Sequence, residues 1–540
     1  MTPSPSEGVT AEGSATGGVR AVATGNRGRV ARLVEVLCRS TRRVWWVSFI
    51  LLAVTGSLWS LASPLYSGPD EPAHTVRAVS LVRGQWLGQQ TEVVDNNALE
   101  VEVPATYTAN PFCYVFEATV PAYCQQWPTE GGEVELLTTA GRHPPTYYAL
   151  VGIPSLFNQS PASIYAMRLV SVLVSAALMA SALTTLAGLR RTRLALLGFL
   201  VALTPMVLFV SGLVNPSAFE IAGAIGTWVG AFALLRAAQD TSLARPEGSL
   251  PTRPGAIPPR LVWSTAIAAS VLVLSRALAP VWLAGIVVVL LIVSPWGAMR
   301  ALARDRTARA GAALVALATA GQVAWIVLAK PLAQVDTQRV IEDTLWGRIS
   351  GAFGRSIDYP RDMVGNVGWL DTPAPPSVAV VWLVLLLVLL ALGLVAGTAR
   401  QRLGIVVTLL ATIVVPVAMD AMQAPRTGFV WQGRYTIPVA VGVPLLCGLV
   451  AATSRRQIPP WVSRWVVPLA AAGFVVGHGL MFVQALKRYA VGVGASWRFF
   501  DAELFWEPPL GNLALALAFG VAVILLGCWL VVARRDPEVT

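Results

Sequence analysis

The chain has 540 residues, of which 55% are hydrophobic and 13% are charged, and its mean hydropathy is +0.63. Soluble globular proteins carry about 25% charged residues, so this composition excludes an ordinary water-soluble enzyme. The formal net charge of +11 does not indicate a nucleic-acid-binding protein, because the arginines occur in short clusters between apolar runs. We expect no nucleic-acid partner and take the lipid bilayer as the first partner.

Residues 1–43 are rich in Gly, Ala, Ser, Thr and Arg and contain no sustained apolar run. This composition predicts a disordered tail. A cleavable signal peptide is not expected, because the first apolar run begins late and no small-residue cleavage site follows it. A second short tail is predicted at residues 535–540.

Residues 44–534 contain repeated apolar runs. Each run is long enough to cross a hydrocarbon core of about 30 Å. They predict about twelve transmembrane helices, at about 45–64, 163–189, 194–214, 217–236, 261–276, 279–297, 310–330, 377–397, 404–420, 435–453, 461–484 and 511–533. The arginine clusters place both termini in the cytoplasm. The fold class is therefore an all-α polytopic protein of the cell (plasma) membrane.

Three longer segments are predicted outside the cytoplasm, at about 65–145, 331–376 and 487–510. The first follows the first span and is acidic. It contains Cys113 and Cys124, and since the outer compartment is oxidising we predict a disulfide between them. Two free cysteines are the alternative. A short apolar piece at about 147–157 is too short to cross the membrane and is predicted to be re-entrant or interfacial.

The segment just after the first span reads Ser-Gly-Pro-Asp-Glu-Pro-Ala-His-Thr-Val-Arg. Asp70 and Glu71 are adjacent carboxylates, and Pro72 is typical of a first helical turn with Asp70 as its N-cap. His74 and Arg77 follow at helical spacing. One interpretation is a capped helix whose acids complement the helix dipole. The other is a carboxylate that acts as a general base at the membrane surface.

The motif Asp-Glu-Pro-Ala-His-x-x-Arg-Ala resembles the motif of the DUF2142 family of predicted membrane proteins, which are relatives of the GT-C glycosyltransferases. Four further stretches resemble family motifs in the same order: His143-Pro-Pro-Thr-Tyr-Tyr, Arg168-Leu-Val-Ser, Val214-Asn-Pro-Ser-Ala and Gln432-Gly-Arg-Tyr-Thr-Ile-Pro. The chain departs from the family at Ser217, where the family has an acid. Glu220, one turn later, is the candidate substitute.

The resemblance implies a GT-C-like fold and an inverting transfer of a sugar from a polyprenyl-phosphate donor to a cell-envelope glycan, lipid or protein acceptor. It implies that Asp70 is the catalytic base and that Glu71, the second catalytic candidate, positions the acceptor or binds a metal. A divalent cation is the only cofactor considered, and one carboxylate pair does not establish it. Together with Arg276, which lies outside these motifs, the candidate substrate-binding residues are His74, Arg77, His143, Tyr147, Tyr148, Arg168, Asn215, Arg434 and Tyr435.

Among these, Arg168, Arg276 and Arg434 are the candidates for binding the lipid phosphate, because the guanidinium fork matches phosphate geometry. Arg276 interrupts an apolar stretch, where an arginine costs about 2.5–3.5 kcal/mol at mid-span. The alternative for Arg434 is an anchor at the end of a span, and that for Arg168 is a snorkelling side chain. The alternative for Arg276 is a short outer hairpin that places the arginine at the water interface. The alternative for Tyr147 and Tyr148 is also an anchor, since interfacial aromatic residues are common anchors.

Two other functions remain open. One is a transporter or lipid flippase, which predicts internal repeats and broken helices near the midplane and a path lined by Arg276 and Asp420. The other is a noncatalytic envelope assembly factor, which would tolerate the loss of Asp70. The enzyme interpretation instead predicts one outer cavity faced by Asp70 and by the three arginines Arg168, Arg276 and Arg434.

Overall fold

The structure is a computed structural model that describes residues 29, 32–90, 98–128, 131–243, 257–332, 340–341, 343–501 and 504–533. Much of the predicted N-terminal tail, at residues 1–28 and 30–31, lies outside the described residues, as does the predicted C-terminal tail at 535–540. Residues 32–38 are helical. The first long helix begins at Thr41, so the last part of the predicted tail is ordered.

The described residues fold mainly into helices. In chain order these are α1 (Thr41–Ala62), α2 (Glu71–Val82), α3 (Pro145–Val151), α4 (Ala162–Ala187), α5 (Thr192–Ala202), α6 (Pro205–Ser211), α7 (Ser217–Leu243), α8 (Pro259–Ser275), α9 (Ala279–Val293), α10 (Trp296–Arg304), α11 (Arg306–Ala329), α12 (Leu345–Ser356), α13 (Tyr359–Gly365), α14 (Pro376–Ala396), α15 (Ala399–Thr427), α16 (Gly433–Ala440), α17 (Gly442–Thr453), α18 (Val467–Val491) and α19 (Asn512–Val532). Proline occupies the first turn of several of them, among them α2, α3 and α8, where its missing N–H costs nothing.

Each predicted span falls on a helix or on two consecutive helices, which confirms a polytopic helical membrane protein. Within the described residues nine helices are long and apolar enough to cross a membrane, or up to eleven if two bent pairs each count as one span. The two bent pairs correspond to the predicted spans at 194–214 and 279–297, and a shorter apolar helix, α8, corresponds to the predicted span at 261–276. The α5–α6 pair bends by 67° and the α9–α10 pair by 120°. Helix α8 has only 17 residues, or about 25 Å of helix.

Close helix packing in the bundle depends on glycine. Helices α5 and α17 cross where Gly198 and Gly448 face each other. A Cβ on Gly198 would lie 2.5 Å from the carbonyl oxygen of Pro444, and one on Gly448 would lie 2.8 Å from that of Leu194. Small residues permit this approach, as they do at many helix interfaces in membranes.

One end of the bundle, here called the loop end, carries residues 63–144 and 345–375. The first of these segments contains α2 and a three-stranded antiparallel sheet of β1 (Gln89–Gln90), β2 (Leu99–Pro104) and β3 (Glu133–Thr138), in that order. Leu99 pairs with Thr138 and Pro104 with Glu133. The all-α prediction missed this small sheet, although β2 alternates apolar and acidic residues with the period of a strand. A second, two-stranded sheet joins β4 (Asn366–Val367) to β5 (Thr372–Pro373).

Three loop segments are tied together by a disulfide and a buried arginine. Cys113 and Cys124 form the predicted disulfide. Arg488, fully buried near the end of α18, donates hydrogen bonds to the carbonyl oxygens of Tyr114 and Val120, which lie between the two cysteines. It also pairs with Asp371 of the second loop segment at 2.9 Å. This contact fixes the loops over the end of the bundle.

Candidate active site

Asp70 immediately precedes α2, at the N-cap position predicted from the sequence. Its side chain does not cap the helix, and its backbone is left-handed with φ of 62°, a conformation that non-glycine residues rarely adopt outside special sites. The carboxylate Oδ2 accepts a hydrogen bond of 2.6 Å from the Arg434 guanidinium. The side chain is 44% exposed. The capping interpretation therefore fails, and the carboxylate points away from the helix.

Two residues from other parts of the chain hold the Asp70 loop in place. The Asn215 side chain donates to the carbonyl oxygen of Pro69 at 3.2 Å and accepts from the backbone N–H of Ser217. Arg434 is buried, contacts Asp70 and donates to the hydroxyl of Tyr435 at 3.2 Å. Asn215 and Arg434 thus act on the position of Asp70, and neither lines the cavity into which Asp70 opens.

Glu71 faces the other way, into the protein. It forms a bidentate pair with Arg168, at 2.7 Å to Nε and 2.6 Å to the terminal nitrogen, and both side chains are fully buried. The same carboxylate accepts from the backbone N–H of Val214. Arg168 donates its remaining N–H groups to the carbonyl oxygens of Ser60, Ser63 and Pro64. These bonds occupy both oxygens of Glu71 and every N–H group of Arg168, so in this structure neither residue presents a polar group to an acceptor, a metal or a phosphate.

Asp70 opens into a cavity of about 750 Å³ at the loop end. Its polar lining residues are Asp70, His74, Thr139, His143, Glu220, Arg276, Gln423, Arg426, Thr427, Gln432 and Tyr435. Its apolar lining includes Trp282, Met419, Met422 and Trp431. Two acids and two arginines thus share one chamber with two imidazoles. Of the four charged residues expected to face one cavity, the structure brings Asp70 and Arg276 together there, places Arg434 behind Asp70, and leaves Arg168 outside.

Arg276 lies where α8 ends, on an extended residue before α9 begins. Its guanidinium donates to the Ser217 hydroxyl at 2.7 Å and stacks over the Tyr435 ring at 4.7 Å from the ring centre. The break in the helix therefore puts a cation into the cavity. Ser217, the position where the family motif has an acid, is the side chain that holds this arginine.

His74 and His143 meet at one hydroxyl group. Nδ1 of His74 lies 2.8 Å from the Tyr148 hydroxyl, and Nδ1 of His143 lies 3.1 Å from it. Burial lowers the pKa of His74 well below its usual value, and the positive charges of Arg276 and Arg434 add to the effect. Burial, His74 and Arg276 lower the pKa of His143 in the same direction. Both imidazoles are neutral at pH 7, and both line the cavity.

The other predicted substrate-binding residues have structural contacts. Arg77 donates to the carbonyl oxygens of Gln85, Trp86 and His143, so it closes the turn after α2. The Tyr147 hydroxyl bonds with that of Ser171 at 2.7 Å. Neither residue lines the cavity. Direct binding by these two residues stays a prediction, and in this structure interior carbonyl and hydroxyl groups occupy the terminal nitrogens of Arg77 and the hydroxyl of Tyr147.

Three cavity residues were missed or given a minor place by the sequence argument. Glu220, considered only as a substitute for the family's acid, is buried and lines the cavity. Gln432 lines the cavity and belongs to the same motif as the predicted residues Arg434 and Tyr435. Arg426 also lines the cavity, whereas the Asp420 carboxylate accepts from the backbone N–H groups of Val430 and Trp431. A carboxylate inside an apolar run is itself a signal of function, and that signal identifies Glu220.

The residues present do not fit the metal site considered for Asp70 and Glu71. In the part of the chain that the structure describes, no three His, Cys, Asp or Glu side chains gather closely enough to hold an ion. Hard cations usually need more oxygen ligands than one free carboxylate.

Comparison with known proteins gives a family and one solved structure. The crystal structure of ArnT from Cupriavidus metallidurans in the apo state is similar at a TM-score of 0.38 and 15% sequence identity, covering 92% of this chain and 78% of that one. No curated protein matches the chain significantly. Residues 49–443 match the family described as predicted membrane protein (DUF2142). The sequence motifs, the helical bundle and this match together show that the chain belongs to the DUF2142 family.

Proposed function

We propose that this protein is a membrane glycosyltransferase of the GT-C type. It moves a sugar from a polyprenyl-phosphate donor to a cell-envelope acceptor at the extracytoplasmic face. The observation that carries the proposal is the orientation of Asp70. Its carboxylate does not cap the helix that it precedes, is nearly half exposed, and opens into the same cavity as Arg276.

In the proposed reaction Asp70 is the general base. Arg434 donates a hydrogen bond to Oδ2, and none of the described residues donates a hydrogen bond to Oδ1. That oxygen takes the proton from an acceptor hydroxyl as the hydroxyl oxygen bonds to the anomeric carbon. The bond from that carbon to the phosphate oxygen breaks, and the polyprenyl phosphate leaves with the electron pair. One displacement of this kind inverts the anomeric centre, and a positioned base contributes about 10²–10⁴-fold to such a step.

Arg276 is the proposed partner of the leaving phosphate. It lines the cavity, and among the described residues its guanidinium donates one hydrogen bond, to Ser217, which leaves further N–H groups for an anion. A fixed guanidinium beside the developing charge stabilises the transition state more than a mobile solvent would. Arg434 and Asn215 act as positioning residues through Asp70 and its loop.

The test is complementation of a gene deletion with wild type or Asp70→Asn at matched membrane levels, followed by mass spectrometry of envelope glycans and glycolipids. We expect one sugar to be lost in the deletion strain and in Asp70→Asn alike. Glu117→Gln is the matched control, because Glu117 is an exposed carboxylate of the same loop segment outside the cavity. Full restoration by Asp70→Asn would contradict the base assignment and favour a transporter or an assembly factor.

A further inference from the structure

Tyr148 links His74 and His143 through a single hydroxyl, and this geometry restricts the protons on both rings. A tyrosine hydroxyl has one hydrogen to donate, while each neutral imidazole has one N–H and one lone pair. Both Nδ1 atoms lie on the same oxygen, and Tyr148 is fully buried. The hydroxyl pairs its own hydrogen only if it donates to one ring and accepts from the other, and an unpaired buried donor is costly. The two imidazoles are therefore opposite tautomers.

The opposite tautomers present different groups to the cavity. The ring that is protonated at Nδ1 has a lone pair at Nε2, and the other ring has an N–H at Nε2. Within the described residues Nε2 of neither ring has a hydrogen-bond partner, and both rings line the cavity. His74 is only 2% exposed and His143 is half-buried, so the two rings offer one donor and one acceptor at the wall of the cavity.

We infer that the His74–Tyr148–His143 triplet is a recognition site for an uncharged, hydroxyl-bearing part of the substrate. A hydroxyl group both donates and accepts, so one hydroxyl or two neighbouring ones satisfy both Nε2 atoms. A phosphate dianion only accepts and an ammonium only donates, so either, once it has displaced water from the two rings, would leave one Nε2 unpaired, which is costly. The inference rests on the proposed function and assigns the sugar, or a polyol acceptor, to this side of the cavity and the phosphate to Arg276.

The two adjacent tyrosines, Tyr147 and Tyr148, have different partners. Tyr148 bridges the two histidines, whereas Tyr147 bonds to Ser171 and does not line the cavity. Tyr148→Phe and Tyr147→Phe remove the same hydroxyl from neighbouring buried rings. They therefore form a matched pair that distinguishes loss of the bridge from loss of packing.

The experiment is 15N NMR of the full chain in nanodiscs with labelled histidine, because the sequence has only three histidines. His74→Gln and His143→Gln assign the two signals. We expect one Nδ1–H and one Nε2–H tautomer at pH 7. The pairing should persist in Tyr147→Phe and be lost in Tyr148→Phe. Two rings with the same tautomer, or two protonated rings, would overturn the assignment of the donor and acceptor pair.

In the second part of the experiment, small molecules are added to the labelled protein and their binding is followed by the same 15N NMR signals, without any enzymatic reaction. A panel of methyl pentosides and methyl hexosides is compared with inorganic phosphate at equal concentration. We expect at least one glycoside to shift both Nε2 resonances in wild type and in Tyr147→Phe, with a much weaker effect in Tyr148→Phe. A response to phosphate alone, or to no probe, would contradict hydroxyl recognition. This outcome is independent of the Asp70→Asn result, so the two proposals fail separately.

Discussion

Neighbouring residues have opposite roles in the Asp70-Glu71 pair. The left-handed backbone at Asp70 turns its carboxylate toward the cavity, while Glu71 begins α2 and points into the protein. Glu71 is enclosed by Arg168 and a backbone N–H, and Arg168 in turn satisfies carbonyl groups at the end of α1. Glu71 therefore stabilises the loop that presents Asp70.

Glu71→Gln should lower stability far more than Asp70→Asn. Removing one partner of a buried ion pair costs about 3–5 kcal/mol, because the other charge remains buried without compensation. The measurement is the thermal midpoint of each purified variant in the same detergent, with Glu117→Gln as the exposed control. Equal midpoints for Glu71→Gln and wild type would show that the pair does not hold the loop.

At the scale of elements, breaks in helices do much to build the site. Arg276 enters the cavity because α8 ends at an extended residue, and Tyr435 contacts it from the start of α16. Arg488 holds the loop segments at the loop end. It lies on α18, which extends to Val491. The segment predicted as a loop from residue 487 thus begins as helix.

Arg488→Met should loosen the loop end while leaving the bundle folded. The side chain of Asp371 is only 6% exposed, so loss of its partner leaves a buried charge, at a cost of about 3–5 kcal/mol. Limited proteolysis of membranes should cut the variant within the loop segments earlier than wild type. Arg498→Met, an exposed arginine of the third loop segment, is the control and should be cut like wild type.

For the whole molecule, orientation in the membrane decides whether the proposed chemistry occurs outside the cell. Arginine clusters such as Arg190, Arg191 and Arg193 lie at helix ends away from the loop end, and such clusters mark the cytoplasmic side. The disulfide at the loop end agrees with an oxidising compartment.

Single-cysteine labelling tests this orientation. With Cys38, Cys447 and Cys528 replaced by serine and the disulfide kept, a membrane-impermeant maleimide should label Glu117→Cys in intact spheroplasts. Arg193→Cys should react only after lysis. Both replaced side chains are exposed. The reverse pattern would place the cavity in the cytoplasm and exclude an extracytoplasmic transfer.

Sequence by itself determined the features that depend on local composition. Apolar runs located the helices, arginine clusters predicted the orientation, and motif order identified the family, because each signal lies within one short stretch. The disulfide was also predictable, since its two cysteines are 11 residues apart in one segment. The bends at α5–α6 and α9–α10 were not predicted, because they arise within runs that read as continuous.

Only the tertiary structure decided which motif residues reach the cavity. Asp70 and Arg434 are 364 residues apart in the chain, and Glu71 and Arg168 are 97 apart. Motif membership could not tell that one arginine supports the exposed acid and the other neutralises the buried one. A polar side chain in an apolar bundle bonds to whichever donor or acceptor packing brings near, so its role is set by three-dimensional neighbours rather than by its place in a motif.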